Sequence, residues 1–347
     1  MNNGMAWNFK TSSGLVGAVL CDDVPVFNQP RKLRCADRMS GLREVFALGE
    51  CMLELSGTPG SSVNTAYGGD TLNTAVYLSR LGISTTFLSA LGDDASSDWL
   101  LQQWRKEGID TRWVRRIPGA KPGLYWIHLD DSGERTFTYW RGESAARQVF
   151  NDSDYTANLV DLIPKDSFFY LSGITLSILS DPARETLWIL LPELRKRGVQ
   201  VCFDGNFRPA GWRSVRSAQE AFNNTLEHVD IALPTFDDET MVFGDQTPAE
   251  TTLRLQQMGV GEVVVKLGAA GCFVARDDVS ALVPTRLKPS VVDTTAAGDA
   301  FNAAYLAARI RGLDPIEAAH QGHRLAGRVI EHRGAIMPVQ HMPLTEK

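Results

Sequence analysis

Apolar and polar positions settle into a regular rhythm at about residue 44. From there on, short apolar runs alternate with stretches whose apolar residues recur at helical spacing. Val45-Phe46-Ala47-Leu48 is the first clear strand. Thr86–Ala90, Phe168–Leu171, Val199–Phe203, Asp230–Leu233 and Glu262–Leu267 read as further strands, because each is short and apolar. Helix starts lie between them. Asp181-Pro182 offers a cap followed by Pro at the first helical position. Thr247-Pro248-Ala249-Glu250 and Asp314-Pro315-Ile316-Glu317 each place Glu three residues after a capping side chain. This β-α-β-α order predicts an α/β fold, a mostly parallel sheet with helices on both faces. In such sheets ligands bind at the carboxyl ends of the strands.

One segment departs from that rhythm. Gly123–His128 and Arg135–Arg141 are rich in Tyr, Trp, Phe and Thr, and Asp130-Asp131-Ser132-Gly133-Glu134 joins them. They predict an antiparallel hairpin. With strand-like residues between 51 and 67 it forms a small sheet outside the main one, either a lid over a site or an ordinary edge. Composition alone does not separate the two. Residues 1–43 lack periodicity and read as a flexible N-terminal extension, before one large domain over 44–347.

Composition narrows the function classes. At 44% hydrophobic, with 8 Trp, 7 Tyr and 15 Phe, the chain has material for a sizeable core. Its net charge of −6 divides into +3 over residues 1–43 and −9 over the rest, which argues against a generally basic nucleic-acid binder. Five widely spaced cysteines without a CxxC pair suit reduced thiols in a cytoplasmic protein. No apolar run reaches the roughly 20 residues of a membrane helix. Gly14 to Cys21 is short and leads into Asp22-Asp23, so no cleaved signal peptide is expected.

The chemistry concentrates in two clusters. Val291 to Phe301 reads VVDTTAAGDAF and runs into an Ala- and Leu-rich helix former. A loop of small residues ending at a helix N-terminus lets backbone N–H groups approach an anion. Asp299 stands at that N-terminus, where it serves either as a helix cap or as a general base for a hydroxyl attacking a phosphate. No loop matches GxxxxGK[ST], which excludes a P-loop, and no GxGxxG follows a strand. The second cluster, Gly68-Gly69-Asp70-Thr71-Leu72-Asn73, puts Asp70 and Asn73 on one helical face. There they can grip vicinal hydroxyls of a sugar, or Asp70 merely caps the Gly-Gly turn. His320-x-x-His323 has loose metal spacing but reads as helix surface.

Taken together, GGDTLNTAVYLSRLG and DTTAAGDAF resemble the paired signatures of the ribokinase-like (PfkB) sugar kinases, over about residues 44–340. The second signature is commonly DTTGAGD, with Gly where this chain has Ala296. Further residues are similar to the subgroup that phosphorylates 2-keto-3-deoxygluconate: Leu48 to Leu55, Gly133 to Arg141, Tyr170 to Ile174, Asp204-Gly205-Asn206-Phe207-Arg208-Pro209 and His332 to Ile336. The resemblance implies a ribokinase-like fold with a β lid. It also implies MgATP-dependent transfer to the 6-hydroxyl, giving 2-keto-3-deoxy-6-phosphogluconate.

By the same resemblance Asp299 is the catalytic base, and Ala297 and Gly298 supply the anion hole. Gly69, Asp70, Asn73, Tyr125, Tyr139, Arg141 and Arg208 contact the sugar acid, with Arg141 meeting its carboxylate. Asn206, Arg208, Lys266, Gly268, Gly271, Ala297 and Gly298 hold ATP. Where relatives carry Asn-x-x-Glu, this chain has Thr235-Phe236-Asp237-Asp238, so Asp238 is the candidate for Mg²⁺. The family analogy allows a monovalent cation near Asp293 and implies a homodimer built on the lid. Two other readings stay open: a kinase for fructose or another neutral ketose, and a catalytically silent sugar-binding sensor.

Overall fold

The computed structural model describes residues 43–57, 62–129, 135–286 and 288–343, together with an antiparallel pairing of Lys10–Thr11 with Gly14–Leu15. The chain divides into Met1–Gly41 and Leu42–Lys347. The expected flexibility of residues 1–43 concerns residues that are almost all outside the described ones, as are Asp130 to Glu134 of the hairpin loop.

The second unit is built on an eight-stranded sheet. Its order is Val279–Val283, Cys272–Arg276, Glu262–Lys266, Ile231–Ala232, Gln200–Asp204, Phe168–Ser172, Val45–Leu48 and Thr85–Leu88. The six strands from Glu262–Lys266 to Thr85–Leu88 run parallel. Strand alternation assigns their side chains to two cores. Val45, Ala47, Phe168 and Tyr170 face one side, packed with helices Asp70–Arg80, Ala95–Lys106, Ala297–Ile310 and Pro315–Val329. Phe46, Leu48, Phe169 and Leu171 face the other, packed with Asp181–Lys196, Val215–Leu226 and Pro248–Gln257. Burial on both faces explains why these strands read as continuous apolar runs.

The expected strands all form, with shifted ends. Asp230–Leu233 shortens to Ile231–Ala232 because the Asp230 carboxylate accepts the Val201 N–H at 2.8 Å and pairs with Arg195. Asp181 is not the cap: Ser180 accepts the Ala183 N–H, and Asp181 opens the helix. Thr247 and Asp314 cap as expected. The antiparallel pair Cys272–Arg276 and Val279–Val283 was not foreseen, although its alternating residues flank a tight Asp277-Asp278 turn.

The small sheet is present. Met52–Ser56 pairs antiparallel with Asn64–Gly68 and parallel with Gly123–Leu129, which pairs antiparallel with Arg135–Trp140. Met52, Tyr125 and Ile127 form a small apolar cluster of its own.

Candidate active site

The carboxyl ends of the parallel strands meet two helix N-termini. Helix Asp70–Arg80 starts at Gly69, where any side chain is excluded: a Cβ there would lie 2.0 Å from the Glu50 carbonyl oxygen. This close approach brings Asn73 to the second helix, where its Nδ2 donates to Asp299 Oδ2 at 2.9 Å. Asp70 accepts from Asn206 Nδ2 at 2.7 Å. Asn206 holds a positive φ of 32° just beyond strand Gln200–Asp204, with its N–H on Asp204 Oδ1 at 3.2 Å.

A third acid–amide pair lies beneath. Asn302, one turn into the helix after Asp299, donates from Nδ2 to Asp204 Oδ2 at 2.6 Å. Lys266, the last residue of its strand, donates from Nζ to the same oxygen at 2.9 Å and to Asn302 Oδ1 at 3.3 Å. The site thus holds Asp70, Asp204 and Asp299, each hydrogen-bonded to an asparagine, with Lys266 among them. Burial raises the Asp299 pKa to about 8, and the nearby Asp70 charge adds to the rise. The Asn73 hydrogen bond and the Lys266 charge act against it. Asp70 is also raised, mainly by burial. A carboxylate with its pKa near the working pH is suited to accept a proton from a hydroxyl.

Helix Ala297–Ile310 begins after Ala296, whose φ of 61° is left-handed. The turn is closed by Ala297 N–H on Thr294 O at 3.2 Å, and Ala300 N–H returns to Ala296 O at 2.9 Å. Gly298 and Asp299 lie in the first turn, where N–H groups have no partner within the helix and the dipole favours an anion. Ala297 is less free than the sequence reading assumed, since its N–H already serves the turn. Asp293 orders the loop before it, accepting Thr295 N–H and Oγ1 on one oxygen and the Gly334 N–H on the other.

Of the expected nucleotide residues, Gly268 and Gly271 take left-handed backbone, with φ of 56° and 107°. A Cβ on Gly271 would meet Val283 O at 2.2 Å. Lys266, two residues before Gly268, is buried against Asp204. Arg208 is largely exposed, donates to Phe207 O at 2.7 Å and lies 3.6 Å from Asp238 Oδ1. Asp238 accepts Phe207 N–H at 3.1 Å, and burial lifts its pKa to about 6. His323 is not helix surface: its Nε2 lies 3.1 Å from Val283 O and 3.5 Å from Cys272 Sγ, beside the Phe301 ring.

The small sheet contributes Tyr125 and Tyr139, directly paired across its two strands, and Arg141 just beyond, against the Gly123 backbone. Tyr125 is buried against the Gly68 backbone, near Asn73, and its hydroxyl donates to Glu54. Tyr139 lies across from it at 5.9 Å between ring centroids and is 53% exposed. Arg141 Nη2 donates to Glu50, a carboxylate 3% exposed. So the cation proposed for a substrate carboxylate already has a protein partner. Glu50, Asp204 and Asn302 had no assigned role in the sequence reading. Their signal was polar residues closing or following apolar strand and helix runs. Glu239, directly after Asp238, was also missed; it is buried, bonded to Arg254 at 2.5 Å, and raised by burial to about 7.

Comparison with known proteins places this arrangement. The profile of a family described as "pfkB family carbohydrate kinase" matches residues 42–342. The 2-dehydro-3-deoxygluconokinase of Escherichia coli (strain K12) is 42% identical over 308 residues, covering 87% of this chain and 99% of that protein. The crystal structure of 2-dehydro-3-deoxygluconokinase from Thermotoga maritima aligns with a TM-score of 0.76 at 22% identity, over 87% of this chain and 97% of that one. A putative ribokinase II of E. coli, solved in complex with ATP and Mg²⁺, aligns with a TM-score of 0.73 at 22% identity, over 85% and 94% of the two chains.

Proposed function

The chain belongs to the pfkB family of carbohydrate kinases, and we propose that it transfers the γ-phosphoryl group of ATP to the 6-hydroxyl of 2-keto-3-deoxygluconate. The observation that carries this reading is the Asp299 carboxylate, buried in the first turn of a helix and held by Asn73. The identity to the E. coli 2-dehydro-3-deoxygluconokinase over nearly its whole length supports the substrate.

In this reading the sugar hydroxyl oxygen attacks the γ-phosphorus, and the bond from that phosphorus to the β–γ bridging oxygen breaks. The bonding pair leaves with ADP, and the hydroxyl proton passes to Asp299. Gly69, Asp70 and Asn73 orient the hydroxyls, and Asn206 holds Asp70 in place. The Gly298 amide faces the charge that develops on the phosphoryl oxygens, where fixed dipoles act strongly in a water-poor site, and Ala297, whose N–H closes the turn onto Thr294, shapes the hole beside it. Tyr125, Tyr139, Arg141 and Arg208 bound the sugar-acid side; Asn206, Arg208, Lys266, Gly268 and Gly271 bound the nucleotide side.

Magnesium would arrive with ATP. Among the described residues no group of three or more His, Cys, Asp or Glu side chains converges as a metal cage. A single carboxylate fits the usual binding of nucleotide-bound Mg²⁺, which keeps most of its ligands as water and phosphate. Asp238 would hold it from beside Arg208, and the ion would neutralise phosphate charge. A monovalent cation near Asp293, a cytoplasmic location and a homodimer built on the lid belong to the same reading. The exposure of Phe137, Tyr139 and Trp140 supports the homodimer, and monomeric light scattering would overturn it. Among the described residues no helix is long and apolar enough to cross a membrane.

One observation favours a second substrate class. The Arg141–Glu50 pair has no net charge, so a neutral ketose such as fructose meets no unpaired charge there. Phosphotransfer from ATP to a panel of sugar acids and ketoses separates these readings. Preference for 2-keto-3-deoxygluconate is expected. Preference for fructose would move the chain to the second class, and no transfer to any acceptor would favour a sensor.

A further inference from the structure

Lys266 is in an unusual position for a residue of a nucleotide-lining strand. Its ammonium is buried, 2.9 Å from Asp204 Oδ2 and 3.3 Å from Asn302 Oδ1. Those two partners are themselves joined at 2.6 Å, and Tyr170 receives the other Asn302 amide hydrogen at 3.0 Å. The three side chains therefore close a ring that fixes the Lys266 rotamer. At the strand end, its backbone N–H is also held by Pro234 O at 2.8 Å.

The ring aims the ammonium at one place. A Cβ built on Gly298 would have Lys266 Nζ at 3.6 Å, and no other heavy atom outside its own helix and chain neighbours within 4 Å among the described residues. The open space beside Gly298, in the first turn of the helix, thus faces a fixed positive charge. A strongly hydrated ammonium is put in such a place at a cost, and that cost is offset only if an anion or a carboxylate meets it. Asp204 takes one face, and the other looks toward Gly298.

We propose that Asp204 and Asn302 are positioning residues, which hold the Lys266 ammonium where it contacts the phosphoryl group in transfer. Lys266 is then a catalytic cation at the anion hole. Asp204 takes no part in proton transfer. The inference rests on the kinase reading. If that reading failed, the unsubstituted chain would phosphorylate no acceptor, an outcome separate from those below.

The test compares K266A, K266M, D204N, N302A and the double variant D204N/K266M, each checked for a native melting transition, with saturating MgATP and sugar acid. K266M is expected to lower kcat about 10²-fold, the usual effect of losing one transition-state donor, with the KM for sugar within twofold. In K266A, added ethylammonium is expected to restore part of the rate, whereas K266M, whose side chain fills the space, is not rescued. D204N and N302A are expected to lower kcat at least tenfold alone, and D204N to have no further effect in K266M. Retention of kcat within threefold in K266M would overturn the catalytic role. Equal rescue of both lysine variants, or an undiminished D204N effect in K266M, would overturn the positioning.

Discussion

Asn73 Nδ2 donates to Asp299 Oδ2 at 2.9 Å, joining the first turns of two helices 226 positions apart in sequence. The bond stabilises the ionised carboxylate, which burial and the Asp70 charge otherwise disfavour. The basicity of Asp299 is therefore set by an opposition between neighbours.

That opposition predicts the pH profile. In the proposed reaction Asp299 accepts the hydroxyl proton and must be deprotonated to do so; kcat/KM should then rise with pH and level off above about 8. Asn73→Ala removes a group that lowers the pKa, and should move the acid limb to higher pH. Asp299→Asn should lower kcat by about 10²–10⁴-fold on the plateau above about pH 8, and by progressively less on the acid limb, where the unsubstituted base is itself protonated. A profile for the Asn73 variant that moves to lower pH would contradict this arrangement.

Arg141→Ala should raise the KM for the sugar acid more than for fructose, if the guanidinium reads a carboxylate. It should also destabilise the fold, because Glu50 is left buried without its partner. Breaking such a pair costs about 3–5 kcal/mol, with less expected here because Arg141 is partly exposed. Burial already holds the Glu50 pKa up, and loss of Arg141 removes a group that lowers it. The folded variant then binds more protons than the unfolded chain, so its stability should fall as pH rises above the ordinary carboxylate range. Chemical denaturation across pH measures this, and Glu50→Gln in the same chain should restore much of the loss.

Two small-residue substitutions should act in opposite directions. Gly69→Ala drives a methyl to 2.0 Å from a backbone oxygen and should cost about 3 kcal/mol with loss of activity. Ala296→Gly relieves a left-handed alanine, a conformation that costs about 1–2 kcal/mol, while freeing the unfolded chain by somewhat less. Its Tm should rise by about 1–3 °C. A fall in Tm would mean that the Ala296 methyl packs usefully.

Much of this was legible in the chain because local patterns and fold agree. The doubly buried strands announce themselves as apolar runs, and Asp70 and Asp299 directly follow glycines at helix starts, with Asn73 three residues after Asp70. Residues whose role depends on distant partners were less legible. Asp204 closes an apolar strand and Asn302 interrupts an alanine-rich helix, yet only the parallel sheet brings them within 2.6 Å. Lys266 stood out in the sequence, but its spacing gives only its strand and not the acid, Asp204, that it pairs with. For Arg141 the hairpin pattern gave the place just beyond the returning strand, and the partner Glu50 was hidden in the turn after the first strand.

The Glu50–Arg141 pair also has a mechanical meaning. Met52–Ser56 leaves the body just after Glu50, and Arg135–Trp140 returns just before Arg141. The pair therefore ties the outgoing and the returning strand of the small sheet together at their root. Fraying that starts at this end must first break a largely buried ion pair. Amide exchange in these strands should accordingly be slowest near the root.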